Sequence, residues 1–318
     1  MVVKSSLVTI GIFLLVLCLL VIIAFVVFVC YHFGVKYFVF GNYYFDIHTD
    51  IPSEMYPPEQ YFSGSNFSDK EALIVLSMIR LAINAPKTAE HFHITGPKEW
   101  NERVTIPTKI AGIEPVWGKD GKIYAVFITF TDIDITMLCF INLRYVRQWR
   151  CLFSSSQVQA SFLPDGLKCW SCPLHYYKQV RDKIWERWND YYKEKTKQLI
   201  ICGHSLGGAI SPLCALDLKL NCNKGSSKAN MVVYVTGAPQ CGNEEFVKRY
   251  NHEIPNTYNI MNQFDVIGMT PIQDLPKKQK YEHVGKMVAI GDTEVKHPAH
   301  HHYLTTYYKY FQDKIKSK

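Results

Sequence analysis

Hydrophobic positions change period several times along the chain, and each change marks an element. Leu7 to Tyr31 is an almost unbroken run of Leu, Ile, Val and Phe. As a helix it would extend ~37 Å at 1.5 Å per residue, enough to cross a ~30 Å hydrocarbon core. It is too long for a cleaved signal peptide and lacks a small-residue cleavage site, so it reads as an uncleaved signal anchor. Lys4 precedes it and Lys36 follows it, a balance that tilts toward an inside amino terminus. Residues 1–6 are then a short tail, 7–31 the anchor, 32–65 an extended linker with Pro52, Pro57 and Pro58 among tyrosines, and 66–318 one folded domain.

Within that domain, Ser68-Asp-Lys-Glu71 is a capping box that predicts a helix to about Asn84, ending before Pro86. Lys109–Trp117 and Lys122–Phe130 flank Gly118–Gly121, a hairpin signal whose second strand is apolar on both faces and is expected at the sheet centre. Pro173–Lys195 places Tyr176, Val180, Ile184, Trp188 and Tyr191 at helical spacing, an aromatic stripe read as core. Leu199–Cys202 is a short buried strand, after which Ala209, Ile210, Leu213, Cys214 and Leu216 recur at helical spacing. Met231–Thr236 and Asn256–Met261 are further strands; Gly237–Gly242 opens a helix through Tyr250, and Tyr303–Phe311 forms a terminal aromatic helix. Alternation of this kind predicts an α/β fold with a mostly parallel sheet flanked by helices.

With 48% hydrophobic and 14% aromatic residues the domain can bury one large core. The net charge of +7 is spread rather than blocked and accompanies no nucleic-acid motif, so it reads as a solvated surface with some attraction for anionic lipid. Asn66-Phe-Ser68 is an N-glycosylation sequon, and eight cysteines lie beyond the anchor. Both fit a type II topology with the domain on the luminal or extracellular side. Cys202 and Cys214 read as core, and Cys169-Trp-Ser-Cys172 offers one pair where structural zinc needs four ligands, so no metal is expected.

The chemistry gathers where the Leu199–Cys202 strand stops. Gly203-His-Ser-Leu-Gly207 is a G-x-S-x-G corner between strand and helix, which points Ser205 Oγ out of the sheet. The helix that follows offers N–H groups to a reacting oxygen, that of Leu206 first. A second donor is expected from an early βα loop, and the turn Thr131-Asp-Ile-Asp134 nominates the Thr131 N–H. A serine nucleophile needs a histidine base and an acid to orient it. Asp217 lies three turns along the next helix and is too distant; Asp265 follows the Asn256–Met261 strand directly, with Asp274 and Asp292 as alternatives. His252, His283, His297 and the run His300-His-His302 are the candidate bases.

These residues resemble the class 3 lipases of the α/β-hydrolase fold. Gly203–Gly208 is similar to that family's elbow, Gly237-Ala-Pro-Gln-Cys-Gly-Asn243 to its F-G-x-P-R-V-G-N turn, and Asn262-Gln-Phe-Asp-Val266 to its N-D-x-V segment. Pro298-Ala-His-His-His-Tyr303 resembles its H-x-x-Y segment, which selects His300 as the base. The resemblance implies a serine lipase, held at the membrane by the anchor, that hydrolyses acylglycerol or phospholipid esters through Ser205, His300 and Asp265, without a metal or cofactor. It also implies a lid within Ile133–Val146, with Met137, Leu138, Phe140 and Ile141 as its apolar face. One departure stands out: the family's F-R-G-T/S segment is matched with Ile128-Thr-Phe-Thr131 and lacks the arginine and glycine. That departure motivates a second reading, an inactive interaction protein on a lipase fold. A thioesterase or short-chain esterase is a third.

Overall fold

The computed structural model describes residues 67–91, 110–131, 133–141, 156–222, 229–271, 280–291 and 298–318. Backbone proximity divides the chain into two units, residues 1–49 with 297–299 and residues 50–296 with 300–318; the sheet and its helices all belong to the second. The anchor, the linker, Asn66, Asp274, Asp292 and His297 lie outside the described residues. Among the described residues no helix is long and apolar enough to cross a membrane.

Seven strands form the main sheet: β1 (Ile110–Trp117), β2 (Ile123–Phe130), β3 (Ile135–Phe140), β6 (Gln198–His204), β7 (Asn230–Thr236), β8 (Thr257–Asn262) and β9 (Lys286–Ile290), side by side in that order. β2 runs antiparallel to both β1 and β3, and from β3 to β9 every pairing is parallel. A small hairpin joins β4 (Gln157–Gln159) to β5 (Lys168–Trp170). The helices are α1 (Asp69–His91), α2 (Ser171–Arg187), α3 (Leu206–Asp217), α4 (Glu244–Glu253) and α5 (Leu304–Lys316).

Period-two alternation sorts the strand residues between two faces. Leu199, Ile201, Val233 and Val235 join α2, α3 and α4 in one continuous core. Tyr234 points the other way, toward α1, and donates a hydrogen bond to buried Glu71 (2.5 Å). Phe67 sits between Tyr234, Tyr258 and Phe311 of α5, so the first and last described helices close that face together.

Several expectations change. α1 begins at Asp69, where the Glu71 N–H reaches the Ser68 side chain over 3.5 Å, but it continues through Pro86 to His91. The ring removes one N–H from the ladder without ending it. The hairpin forms, with Gly121 at φ 75°, yet β2 is second from the edge rather than central; β6 holds the middle. The stretch from 135 to 140, expected within a lid, is instead a strand buried at all six positions. Apolar on both faces and paired on both edges, β3 has no polar side to offer water, which an amphipathic lid requires.

α2 carries the predicted stripe as far as Trp188 and then widens into a π-helical turn, Trp188–Tyr192. One extra residue in that turn rotates the register. Tyr192 is therefore buried, donating to Glu114 Oε2 (2.7 Å), while Tyr191 is exposed. Cys172 is disulfide-bonded, and the other described cysteines, Cys139, Cys169, Cys202, Cys214, Cys222 and Cys241, are buried free thiols.

Candidate active site

β6 ends at His204 and α3 starts at Leu206, so a single residue turns the corner. Ser205 does so at φ 58°, ψ −129°, the one described non-glycine residue with positive φ. Such a conformation costs on the order of 1–3 kcal/mol and persists only where the surroundings over-determine it. The surroundings here are two glycines. A Cβ on Gly203 would lie 2.4 Å from the Gly207 carbonyl, and one on Gly207 would lie 2.5 Å from the Phe140 oxygen. The close backbone approach that lifts the serine from the sheet thus excludes any side chain at either position.

Ser205 Oγ lies 2.8 Å from His302 Nε2, and His302 Nδ1 lies 2.8 Å from Asp265 Oδ2. With Nδ1–H donating to the carboxylate, Nε2 is left to accept the serine hydroxyl proton. Asp265 follows β8, as its sequence position suggests, and caps a 3-10 turn by accepting the Ile267 N–H (3.0 Å). Burial alone would raise its pKa. The facing His302, with hydrogen bonds from His302 and Tyr307, outweighs burial and holds the carboxyl below its ordinary range.

The histidine in this line is His302, not the expected His300. His300–His302 lie in one 3-10 turn, where side chains two positions apart point about 120° away from each other. His302 faces Ser205. His300 turns aside, its ring 4.8 Å from Tyr303 and its carbonyl accepting from Thr306 Oγ1 (2.6 Å). His301 meets Asn262 Nδ2 through Nδ1 (3.3 Å). Of the remaining candidates, His252 stands beside Glu253 and His283 against Asn259.

Thr131 is also displaced from the site. β2 runs antiparallel to β3, and β3 runs parallel to β6 with Ile135 opposite Gln198 and Phe140 opposite Gly203. The turn after β2 therefore meets the start of β6, where Lys197 and Gln198 donate to the Asp134 carbonyl. Seven residues of extended chain, roughly 20 Å, separate that end from Ser205. From this side of the sheet, it is the backbone of Phe140 and Ile141, at the carboxyl end of β3, that touches the elbow. Leu206 opens α3, and its N–H belongs to the first turn, which has no intrahelical acceptor.

Two further side chains belong to the cluster. Tyr307 of α5 donates to Asp265 Oδ2 (2.7 Å) and accepts the Asn262 N–H (3.1 Å). His204, adjacent to the serine, stacks on His302 with ring centroids 4.9 Å apart and meets Thr236 Oγ1 through Nδ1 (3.1 Å). Burial, reinforced by the neighbouring His302, pushes its pKa down to about 3, so it stays neutral. Gly237 at φ 53° makes room for all three groups; a Cβ there would lie 2.8 Å from Asp265 Oδ2, 3.0 Å from Tyr307 Oη and 3.1 Å from His204 Cε1. Periodicity marks Tyr307 only as part of an aromatic helix, and nothing local ties it to an acid 42 residues earlier. Among the described residues no group of His, Cys, Asp and Glu is placed to hold a metal ion.

The profile of the family Lipase (class 3) matches residues 139–275. A lipase of Rhizomucor miehei is 32% identical over 150 residues, covering 46% of this chain and 39% of that protein. A secreted mono- and diacylglycerol lipase, LIP1 of Malassezia globosa, is 30% identical over 131 residues, 41% and 40% of the two chains. A phospholipase A1-II 5 of Oryza sativa subsp. indica is 28% identical over 155 residues, 46% and 30%. The chain thus spans less than half the length of each of these relatives. Among solved structures, the native Rhizomucor miehei lipase propeptide complex superposes with a TM-score of 0.57 at 21% identity, covering 71% of this chain and 70% of that one. The lipase from Rhizopus microsporus var. chinensis gives 0.55 at 19%, covering 76% and 83%. Likeness at these identities speaks for the fold, an α/β-hydrolase-like sheet flanked by helices.

Proposed function

We propose, from the match of residues 139–275 to the class 3 lipase family, that the protein is a serine hydrolase of long-chain carboxylic esters, with acylglycerols or phospholipids as substrates. The observation that carries this reading is the line from Ser205 through His302 to Asp265, two 2.8 Å contacts beginning at a strained corner. Ser205 Oγ attacks the ester carbonyl while His302 Nε2 takes its proton. The oxyanion is met by the Leu206 N–H and the positive end of α3, and a second donor would come from the chain leaving β3 at Ile141, on the elbow's side of the sheet. Collapse breaks the ester C–O bond, and His302 hands the proton to the departing alcohol. Water then repeats the sequence on the acyl-serine. Asp265 stays ionised throughout and orients the imidazole, helped by Tyr307.

The anchor Leu7–Tyr31 would hold this domain at a membrane, on the luminal or extracellular side; the Cys172 disulfide supports an oxidising compartment. The motive for an inactive fold has weakened, because the unusual Ile128–Thr131 segment lies at the far end of the sheet from the elbow. The deciding experiment combines a fluorophosphonate probe with a panel of acylglycerols and phospholipids, using the full chain and Ser205→Ala. Labelling and hydrolysis abolished by the substitution are expected. A folded parent that neither labels nor hydrolyses would overturn the proposal, and equal labelling of Ser205→Ala would do the same.

A further inference from the structure

The large apolar side chains most open to solvent among the described residues are concentrated in one place. Three of the five, Phe264 (47% exposed), Val266 (63%) and Met269 (67%), fall within the loop that carries Asp265. Val266 and Met269 begin and end a 3-10 turn, where positions three apart eclipse, so both project from one face. The turn is held from beneath. Asp265 Oδ1 accepts the Ile267 N–H (3.0 Å), Thr270 Oγ1 donates to the Ile267 carbonyl (2.7 Å), and a Cβ on Gly268 would lie 2.5 Å from Met261 Sδ. Across Asp265, the Phe264 ring lies 5.1 Å from that of His301, the neighbour of His302. Between Asn262 and Thr270 the only acid is Asp265 itself, 3% exposed, so no negative charge faces outward from the loop.

We propose that this crest inserts into the surface of a bilayer containing anionic phospholipid and so brings the Ser205 line against its substrate. The proposal rests on the ester hydrolase reading for the reason a lipid should arrive there. A protein partner needs about 800 Å² of matched surface per side, to which a few side chains on a convex turn contribute little. Insertion of apolar side chains at the headgroup boundary needs no such fit. The charge agrees with an anionic surface: the loop presents no outward acid, and the chain carries a net +7.

The test uses the full chain reconstituted in phosphatidylcholine–phosphatidylglycerol vesicles, with Met269→Cys bearing an environment-sensitive fluorophore and the parent treated identically as background. Blue-shifted emission, quenched by brominated lipid, is expected. Alongside it, Val266→Ser combined with Met269→Ser should lower hydrolysis of the vesicle lipid about tenfold and leave hydrolysis of a short soluble ester within about twofold. An unquenched fluorophore, or an unchanged lipid rate in the double variant, overturns docking by the crest. Absence of hydrolysis on both substrates in the parent overturns the proposed activity instead, and the quenching arm still decides the docking.

Discussion

Three consecutive histidines with one local environment end up with three different partners, because a 3-10 turn fans them out around its axis. His302→Ala should therefore lower kcat by a factor on the order of 10³–10⁶, while His300→Ala stays within a few-fold. Steady-state hydrolysis of a soluble ester checks the pair, and equal losses would contradict the assignment. His204 supplies a pH prediction. Its pKa is lowered to about 3 in the folded protein against ~6.5 unfolded. The unfolded chain then binds the extra proton between those values, so stability is full above about 6.5 and declines as pH falls toward 3. His204→Gln, which cannot charge, should lose less Tm than the parent between pH 7 and pH 5 in parallel thermal melts.

At the scale of elements, α2 and α3 are joined by a buried carboxylate. Asp217 accepts from Tyr177 (2.7 Å), Trp185 (3.1 Å), Asn221 (2.8 Å) and both Arg181 nitrogens facing it (2.7 and 3.1 Å). The Arg181 guanidinium also lies over the Phe162 and Trp185 rings. Asp217→Ala strands all these donors, and a loss of about 3 kcal/mol or more is expected in urea unfolding. Because α3 carries the elbow at its other end, soluble-ester activity per folded molecule should hardly change in dilute buffer. The π turn after α2 belongs to this scale too: helical spacing pointed to Tyr191, and one extra residue in the turn put Tyr192 inside instead.

Across the whole molecule the chain's end closes on its first described helix. Lys314 and Lys318 both reach Asp69 (2.9 and 2.8 Å), Phe311 packs on Phe67, and Tyr307 of the same helix holds Asp265. Removing residues 311–318 takes away a fully buried aromatic and both lysines while leaving Tyr307 in the sequence. Such a truncation should lose esterase activity and gain protease sensitivity together, measured by limited proteolysis beside the soluble-ester assay. Retained activity would show that α5 is not needed to seat the acid.

The sequence alone determined what depends on local chemistry. The elbow, the strand before it and the helix after it follow from two glycines around a serine and a switch of hydrophobic period, and Asp265 follows from its place just past a strand. The hairpin of β1 and β2 and most helix starts are equally local. Only the tertiary structure decided which histidine faces Ser205, that Tyr307 steadies the acid, and that Thr131 lies at the wrong end of the sheet. Strand direction explains the last: β2 looks like one more parallel strand until its pairing shows it antiparallel, and reversal exchanges its ends. β3 passed for a lid for a related reason, since a short apolar run carries no period that separates a central strand from a helix face. Choice of partner across tens of residues is a property of packing, and local pattern does not encode it.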